Sequence, residues 1–210
     1  RNEETMNIQL KDKLVIVTGS TGDGIGNAIA EELARNGAYV IINGRSQGSV
    51  DKTVEAMVKS TSAEKAKVIG IPGDVASGEG AEKFLQDIKA VEDKLGMPVY
   101  GLVNNVGIFS TESFTEISDE TWTKYYETNT MSGVRLSRHF LPLMLERNEG
   151  RILFVSSECG LRPLPHMLAY SVSKTSQIAL ARGMAEMTKG TNVTVNSVIP
   201  GPTMTGGVRS

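Results

Sequence analysis

The feature that most constrains this chain is a regular alternation of short, nearly continuous apolar runs with longer segments of helical period. Six runs read as β-strands: KLVIVT (Lys13–Thr18), AYVIIN (Ala38–Asn43), KVIGIP (Lys67–Pro72), VYGLVNN (Val99–Asn105), RILFVSS (Arg151–Ser157) and VTVNSVI (Val193–Ile199). The segments between them carry apolar residues three and four apart, such as Ile25, Ile29, Leu33 and Ala34, or Phe84, Leu85, Ile88 and Val91. Helical runs are predicted after the first strand and over about 50–62, 80–95, 119–146 and 169–188. Strands without a polar face need cover on both sides, which a parallel sheet flanked by crossover helices supplies. Right-handed crossovers then give one doubly wound α/β domain over residues 10–210. Residues 1–9 read as a polar leader, expected to be poorly ordered and outside that domain.

With 210 residues, of which 40% are hydrophobic, the chain can bury a sizeable core. A formal charge of −2 gives no electrostatic footprint for nucleic acid or an acidic membrane. No apolar run has the length needed to cross a bilayer. The single cysteine, Cys159, allows no internal disulfide and fits a reducing, cytoplasmic setting. His139 and His166 lie far apart with no ligand-like spacing, so no metal site is expected.

In doubly wound sheets, ligands sit beyond the carboxyl ends of the strands, where the strand order reverses. After the first strand, VIVTGSTGDGIGNAIA (Val15–Ala30) places Gly19, Gly22, Gly24 and Gly26 between strand and helix. Glycines permit positive φ and close backbone approach, and a helix N-terminus offers unpaired N–H groups to a pyrophosphate. Gly19, Ser20, Gly24, Ile25 and Gly26 are therefore candidate cofactor contacts, against the plainer reading of a glycine-rich turn. After the second strand, Gly44 stands where a carboxylate would bind the ribose hydroxyl of NAD, and Arg45 and Ser46 follow it. A guanidinium without a competing carboxylate suits a 2′-phosphate, which favours NADP(H), with NAD(H) as the alternative. After the third strand, Asp74 and Val75 would flank an adenine, although an Asp there also suits a simple turn. After the fourth, Asn105, Val106 and Gly107 would let the backbone pass close under the cofactor.

The most informative constellation joins Ser157, at the tip of the fifth strand, to Tyr170 and Lys174 in YSVSK. Tyr170 and Lys174 are four apart on a helix and share a face. An ammonium beside a phenol is expected to lower the tyrosine pKa, so that the phenol exchanges a proton nearer neutral pH. Ser157 would donate a hydrogen bond to a substrate oxygen as charge develops there.

Together these motifs resemble the short-chain dehydrogenase/reductase family, from about Leu10 to Thr205. The family's TGxxxGxG is matched by Thr18, Gly19, Gly24 and Gly26 with one extra residue, and its NNAG appears as NNVG. Its asparagine falls on Asn129 in ETNTMSG, its serine on Ser157, its YxxxK on Tyr170 and Lys174, and its PGxxxT on Pro200, Gly201 and Thr205. The resemblance implies a Rossmann-type sheet and hydride transfer between a nicotinamide and a carbonyl or secondary alcohol. Tyr170 would be the general acid or base, Lys174 would depress its pKa and hold the nicotinamide ribose, and Ser157 would polarise the substrate oxygen. Asn129 would position Lys174 through a water, and Thr205, with Pro200 and Gly201, would meet the carboxamide end of the cofactor. It further implies a homodimer or homotetramer packed through the helices that carry Leu136, Leu143, Ile178 and Leu180.

Two features depart from the family pattern. The extra residue in the glycine loop leaves Asp23 near the expected pyrophosphate, where it reads as a helix N-cap in preference to a repelling charge. The pattern also stops five residues after Thr205, so the family's substrate lid and seventh strand are expected to be absent. On that basis a catalytically impaired nucleotide-binding scaffold or sensor, or a piece of a longer dehydrogenase, is the alternative to an enzyme. The residues expected to flank the substrate are Ile108, Phe109, Leu161, Leu164, His166 and Met167. They are mainly apolar and favour a hydrophobic carbonyl compound.

Overall fold

The computed structural model describes residues 10–61 and 67–205, so the leader expected over residues 1–9 lies outside the described residues. Among the described residues the strands are β1 (Leu14–Val17), β2 (Tyr39–Gly44), β3 (Val68–Pro72), β4 (Val99–Asn104), β5 (Gly150–Val155) and β6 (Val193–Val198). They form one parallel sheet in the order β3-β2-β1-β4-β5-β6. The chain steps outward from β1 to β3 and then returns to lay β4 against the other side of β1. The strand order therefore reverses between β1 and β4, and their carboxyl ends open a crevice there.

Successive side chains on a strand point to opposite faces, and here both faces are core. Leu14 and Ile16 join Phe84, Leu102, Leu136 and Phe154 on one side. Val15 and Val17 join Ala30, Ala34, Val40 and Ile42 on the other. That two-sided burial is why the strands read as continuous apolar runs.

The helices are α1 (Ile25–Arg35), α2 (Gln47–Thr61), α3 (Gly78–Leu95), α4 (Asp119–Tyr125), α5 (Ser132–Glu146) and α6 (Leu168–Met187). Serine caps set several of the starts. Ser46 Oγ accepts from Ser49 N at 3.4 Å ahead of α2, and Ser77 Oγ accepts from Gly80 N at 3.0 Å ahead of α3. The N-cap of α1 is Gly24 in extended conformation, so the capping role expected of Asp23 is displaced by one residue. A side-chain cap must precede the first helical residue directly, and Gly24 occupies that place. The long helical run predicted over 119–146 is interrupted by a π-helical turn, Tyr126–Met131, between α4 and α5. Hydrophobic period alone does not show such a turn, which adds one residue without changing the buried face.

Leu136 is fully buried and Leu180 packs against the core. A side chain with no exposed surface in one chain cannot meet a partner, which corrects the interface place expected of Leu136. Ile178 packs within 3.0 Å of the Cβ position of Gly160, while Leu143 stays exposed on α5. Among the described residues no helix is long and apolar enough to cross a membrane.

Candidate active site

The loops at the carboxyl edge must satisfy their backbone groups without a ladder, and three side chains do much of this. Asn43, buried at the end of β2, accepts from Gly19 N at 3.3 Å through Oδ1. Its Nδ2 donates to the carbonyls of Ile71 and Gly73, which ties the tips of three strands together. Asn105 Nδ2 donates to the carbonyls of Thr18 and Gly19 at 2.9 and 3.0 Å, clamping the glycine loop to β4. Thr18 Oγ1 in turn accepts from the N–H groups of Asn105 and Val106. Gly19 and Gly22 have φ of 59° and 84°, the left-handed region that glycine adopts without strain.

Close packing makes Gly26 the tightest point of the loop. A Cβ there would lie 2.3 Å from Asn105 Nδ2 and 2.7 Å from the Gly19 carbonyl oxygen. Gly26→Ala is expected to lower stability by about 1–3 kcal/mol and to weaken dinucleotide binding, because the clamp must move. Thermal unfolding with a parallel NADPH titration checks this, and an unchanged melt would contradict the packing.

A cleft of about 410 Å³ opens over these loops. Of the residues expected to contact a cofactor, Gly19, Arg45, Asp74, Val75, Asn105, Val106 and Gly107 line it. Thr21, Asn43, Lys124 and Thr128 line it as well and were not anticipated. Lys124 and Thr128 enter from α4 and the π-helical turn, which no glycine or strand-end motif marks. Asp74 also makes the simple turn, its Oδ1 accepting from Ala76 N at 3.1 Å. Arg135 donates to the Ala76 carbonyl at 2.8 Å and pairs with Glu127, which holds this loop against α5.

Ser20 corrects one expectation. It is fully buried, its N–H donates to the Asn43 carbonyl at 2.9 Å, and its Oγ donates to the Val17 carbonyl at 2.7 Å. Both groups are spent inside the fold, so Ser20 holds the loop and does not face the cleft. Gly24 and Gly26 likewise serve the helix start and its packing. Ser46 caps α2.

A second cavity has a volume of about 330 Å³. It gathers Ile25, Ser157, Tyr170, Pro200, Gly201 and Thr205, residues predicted from four separate segments. Phe109, Leu164 and Met167 supply the anticipated apolar lining, whereas Ile108 faces the first cleft. Leu161 and His166 do not line the cavity, and Leu161 is exposed to solvent. Glu158 and Thr203 add a polar side that the sequence reading missed.

Ser157 Oγ accepts from Cys159 N at 3.2 Å, which leaves its own hydrogen for the Tyr170 oxygen. The Tyr170 ring meets Phe109 edge-on at 6.2 Å. Burial pushes the Tyr170 pKa up, while the Ser157 hydrogen bond pulls the other way. This reverses the expectation that Lys174 would depress it. The Lys174 ammonium lies 5.7 Å from the Tyr170 ring centroid and donates instead to the Val155 carbonyl at 2.8 Å. Lys174 is itself buried, and desolvation lowers its pKa to about 8. Asn129, in the π-helical turn, accepts from Ile108 N at 2.8 Å and donates to Ser173 Oγ at 2.8 Å. Its main-chain carbonyl accepts from Gln177 Nε2.

The family model for short chain dehydrogenases matches residues 13–210. The chain belongs to the short-chain dehydrogenase family. It is 50% identical over 205 residues to the uncharacterized oxidoreductase YvrD of Bacillus subtilis (strain 168), covering 98% of this chain and 74% of that one. It is 33% identical to dehydrogenase/reductase SDR family member 4 of Caenorhabditis elegans, over 92% of this chain and 72% of the relative. Among solved structures it resembles the L-sorbose reductase of Gluconobacter frateurii complexed with NADPH and L-sorbose. That likeness has a TM-score of 0.86 at 30% identity, over 96% of this chain and 74% of the other. The Rossmann-type parallel sheet of this short-chain dehydrogenase therefore matches its structural neighbours. Among its described residues, no group of three or more His, Cys, Asp or Glu is placed to hold a metal.

Proposed function

We propose that this short-chain dehydrogenase transfers a hydride between NADP(H) and a carbonyl or secondary alcohol, with Tyr170 as general acid or base. The observation that carries this reading is the convergence of three side chains: Ser157 and Tyr170 line the second cavity, Ser157 hydrogen-bonds Tyr170, and the Lys174 ammonium lies 5.7 Å from the Tyr170 ring centroid. Gly107 lines the first cleft, and its Cβ position lies 3.3 Å from Lys174 Nζ, so the ammonium sits directly behind Gly107.

The first cleft suits a dinucleotide carrying a 2′-phosphate. A Cβ at Gly44 would lie 2.6 Å from the Thr21 side chain, so the usual place of a ribose-binding carboxylate is closed. Arg45 is exposed beside it and has no hydrogen-bond or ion-pair partner among the described residues. Gly19, Asp74, Asn105 and Gly107 would border the adenosine and pyrophosphate, and Thr205 the carboxamide end. Arg45→Ala is expected to weaken NADPH about tenfold or more while sparing NADH. Equal losses for both would point to NAD(H).

Bound there, the cofactor supplies the hydride, and this chain manages the proton. In reduction, Ser157 and Tyr170 donate to the carbonyl oxygen, and Tyr170 passes its proton as negative charge builds. Burial keeps the phenol protonated at neutral pH, which suits this direction. The Lys174 ammonium then stabilises the phenolate. Reduction should hold up to about pH 8 and fall above it as Lys174 loses its proton. A pH profile of kcat/KM checks the position of that limb.

The second cavity fits a carbonyl compound with an apolar flank against Phe109, Leu164 and Met167 and a hydrogen-bond donor facing Glu158. This adds a polar side to the hydrophobic carbonyl compound favoured by the sequence. The L-sorbose reductase neighbour, which binds a hydroxylated ketone, supports the donor side. Exposed Leu143, Val172 and Met187 on α5 and α6 support a homodimer or homotetramer, to be read by sedimentation. The lone, buried Cys159 supports a cytoplasmic setting.

A further inference from the structure

We propose that Gln177 is a positioning residue of the proton-transfer site. Its side-chain amide ties the Lys174 ammonium to the main-chain carbonyl of Asn129, the link that the family resemblance assigned to a water. The proposal rests on the assignment of Lys174 and Tyr170 to proton transfer.

Gln177 lies one helical turn after Lys174 on α6 and is only 1% exposed. A glutamine at such a position must satisfy both ends of its amide inside the protein. Its Nε2 donates to the Asn129 carbonyl and its Oε1 accepts from Lys174 Nζ at 3.2 Å. The amide has one sensible orientation, because the carbonyl can only accept and the ammonium can only donate. Flipping it would set oxygen against oxygen and an NH₂ against an ammonium.

The lysine is thereby held from two sides. One hydrogen goes to the Val155 carbonyl at 2.8 Å, from the end of β5, and one goes to Gln177. The third is left for the side where Gly107 leaves room next to the first cleft. Asn129 is fixed independently by its side-chain bonds to Ile108 and Ser173, so Gln177 spans two rigid points. Without it, the Asn129 carbonyl loses this side-chain donor and the ammonium loses an acceptor, both deep in the protein. Water would have to enter to replace them.

An amide oxygen accepting from the ammonium favours the charged lysine, and an apolar side chain there would not. The titratable groups on this side are Tyr170 on the same helix, with Tyr125 of α4 and Cys159 after β5 beyond it. All three remain in any variant of residue 177, so a change in Lys174 belongs to that residue.

Two variants of the full chain decide the matter. Gln177→Met keeps the volume without polar atoms, and Gln177→Glu is nearly isosteric and puts a carboxylate beside the ammonium. Lys174 is titrated by NMR in protein carrying ε-¹³C-lysine, without cofactor or substrate, using Lys174→Met to assign its signal. The expected midpoint falls by about one pH unit in Gln177→Met and rises by about as much in Gln177→Glu. The alkaline limb of kcat/KM for NADPH-dependent reduction moves the same way in each. Opposite displacements are not what a merely structural residue would give. Midpoints that match the unmodified chain, or that move in one direction in both variants, overturn the proposal. If Gln177→Met does not fold, the Gln177→Glu midpoint decides alone. If turnover proves indifferent to Tyr170→Phe, the functional reading fails, while the NMR titration still answers for Gln177.

Discussion

Tyr170→Phe is expected to lower kcat by roughly 10²–10⁴-fold while leaving NADPH affinity within about twofold. The substitution removes one oxygen from a ring already held by Phe109 and half-buried beside Ser157. The ring is expected to keep its place, because its edge-on contact does not involve the hydroxyl. Burial pushes the phenol pKa up, so it is protonated at neutral pH, and under the proposed mechanism the lost group is the acid for reduction. Ser157 would still hydrogen-bond the substrate oxygen but has no comparable proton to give. Steady-state kinetics with a fluorescence titration of NADPH separates the two effects. Retained turnover would remove Tyr170 from the chemistry.

Lys174→Met is expected to abolish measurable turnover and, at pH 7, to raise thermal stability. The ammonium is buried, and desolvation holds its pKa at about 8 against an ordinary 10.5. Below pH 8 the folded and unfolded chains both carry the proton, and the penalty for burying the charge is present in full. Between about pH 8 and 10.5 the folded chain has lost a proton that the unfolded chain still holds, so the unmodified protein gains stability as pH rises. The full difference corresponds to about 3 kcal/mol. Losing the hydrogen bonds to Val155 and Gln177 offsets part of it, leaving a net gain of about 1 kcal/mol at pH 7. Melts at pH 7 and pH 10 should show the variant's advantage at the lower pH and its loss at the higher. A variant less stable at both would mean that the lysine is held favourably as a cation.

The sheet was legible because each strand is buried on both faces, which writes itself into the sequence as an apolar run. That Ser157, Tyr170 and Thr205 gather at one cavity was legible because their motifs fall after strand ends and at fixed spacings. What escaped has a common cause. Asn43 and Gln177 act through partners tens of residues away, and nothing in their local sequence marks a buried amide with both ends satisfied. Ser20 stood in the right loop, yet its hydroxyl turned inward to the Val17 carbonyl. The π-helical turn preserves the buried face of the run it interrupts, so periodicity passes over it. The sign of the Tyr170 shift was misjudged for a related reason. Helical spacing places Lys174 on the same face but does not show that its ammonium is taken by Val155 and Gln177, leaving burial to dominate the phenol.

The central claim is that the crevice between β1 and β4 holds NADP(H), with Arg45 selecting the 2′-phosphate. The most direct test is a paired fluorescence titration of NADPH and NADH into this chain. The account predicts that NADPH binds at least about tenfold tighter than NADH. Equal affinities, or no binding of either, would contradict it.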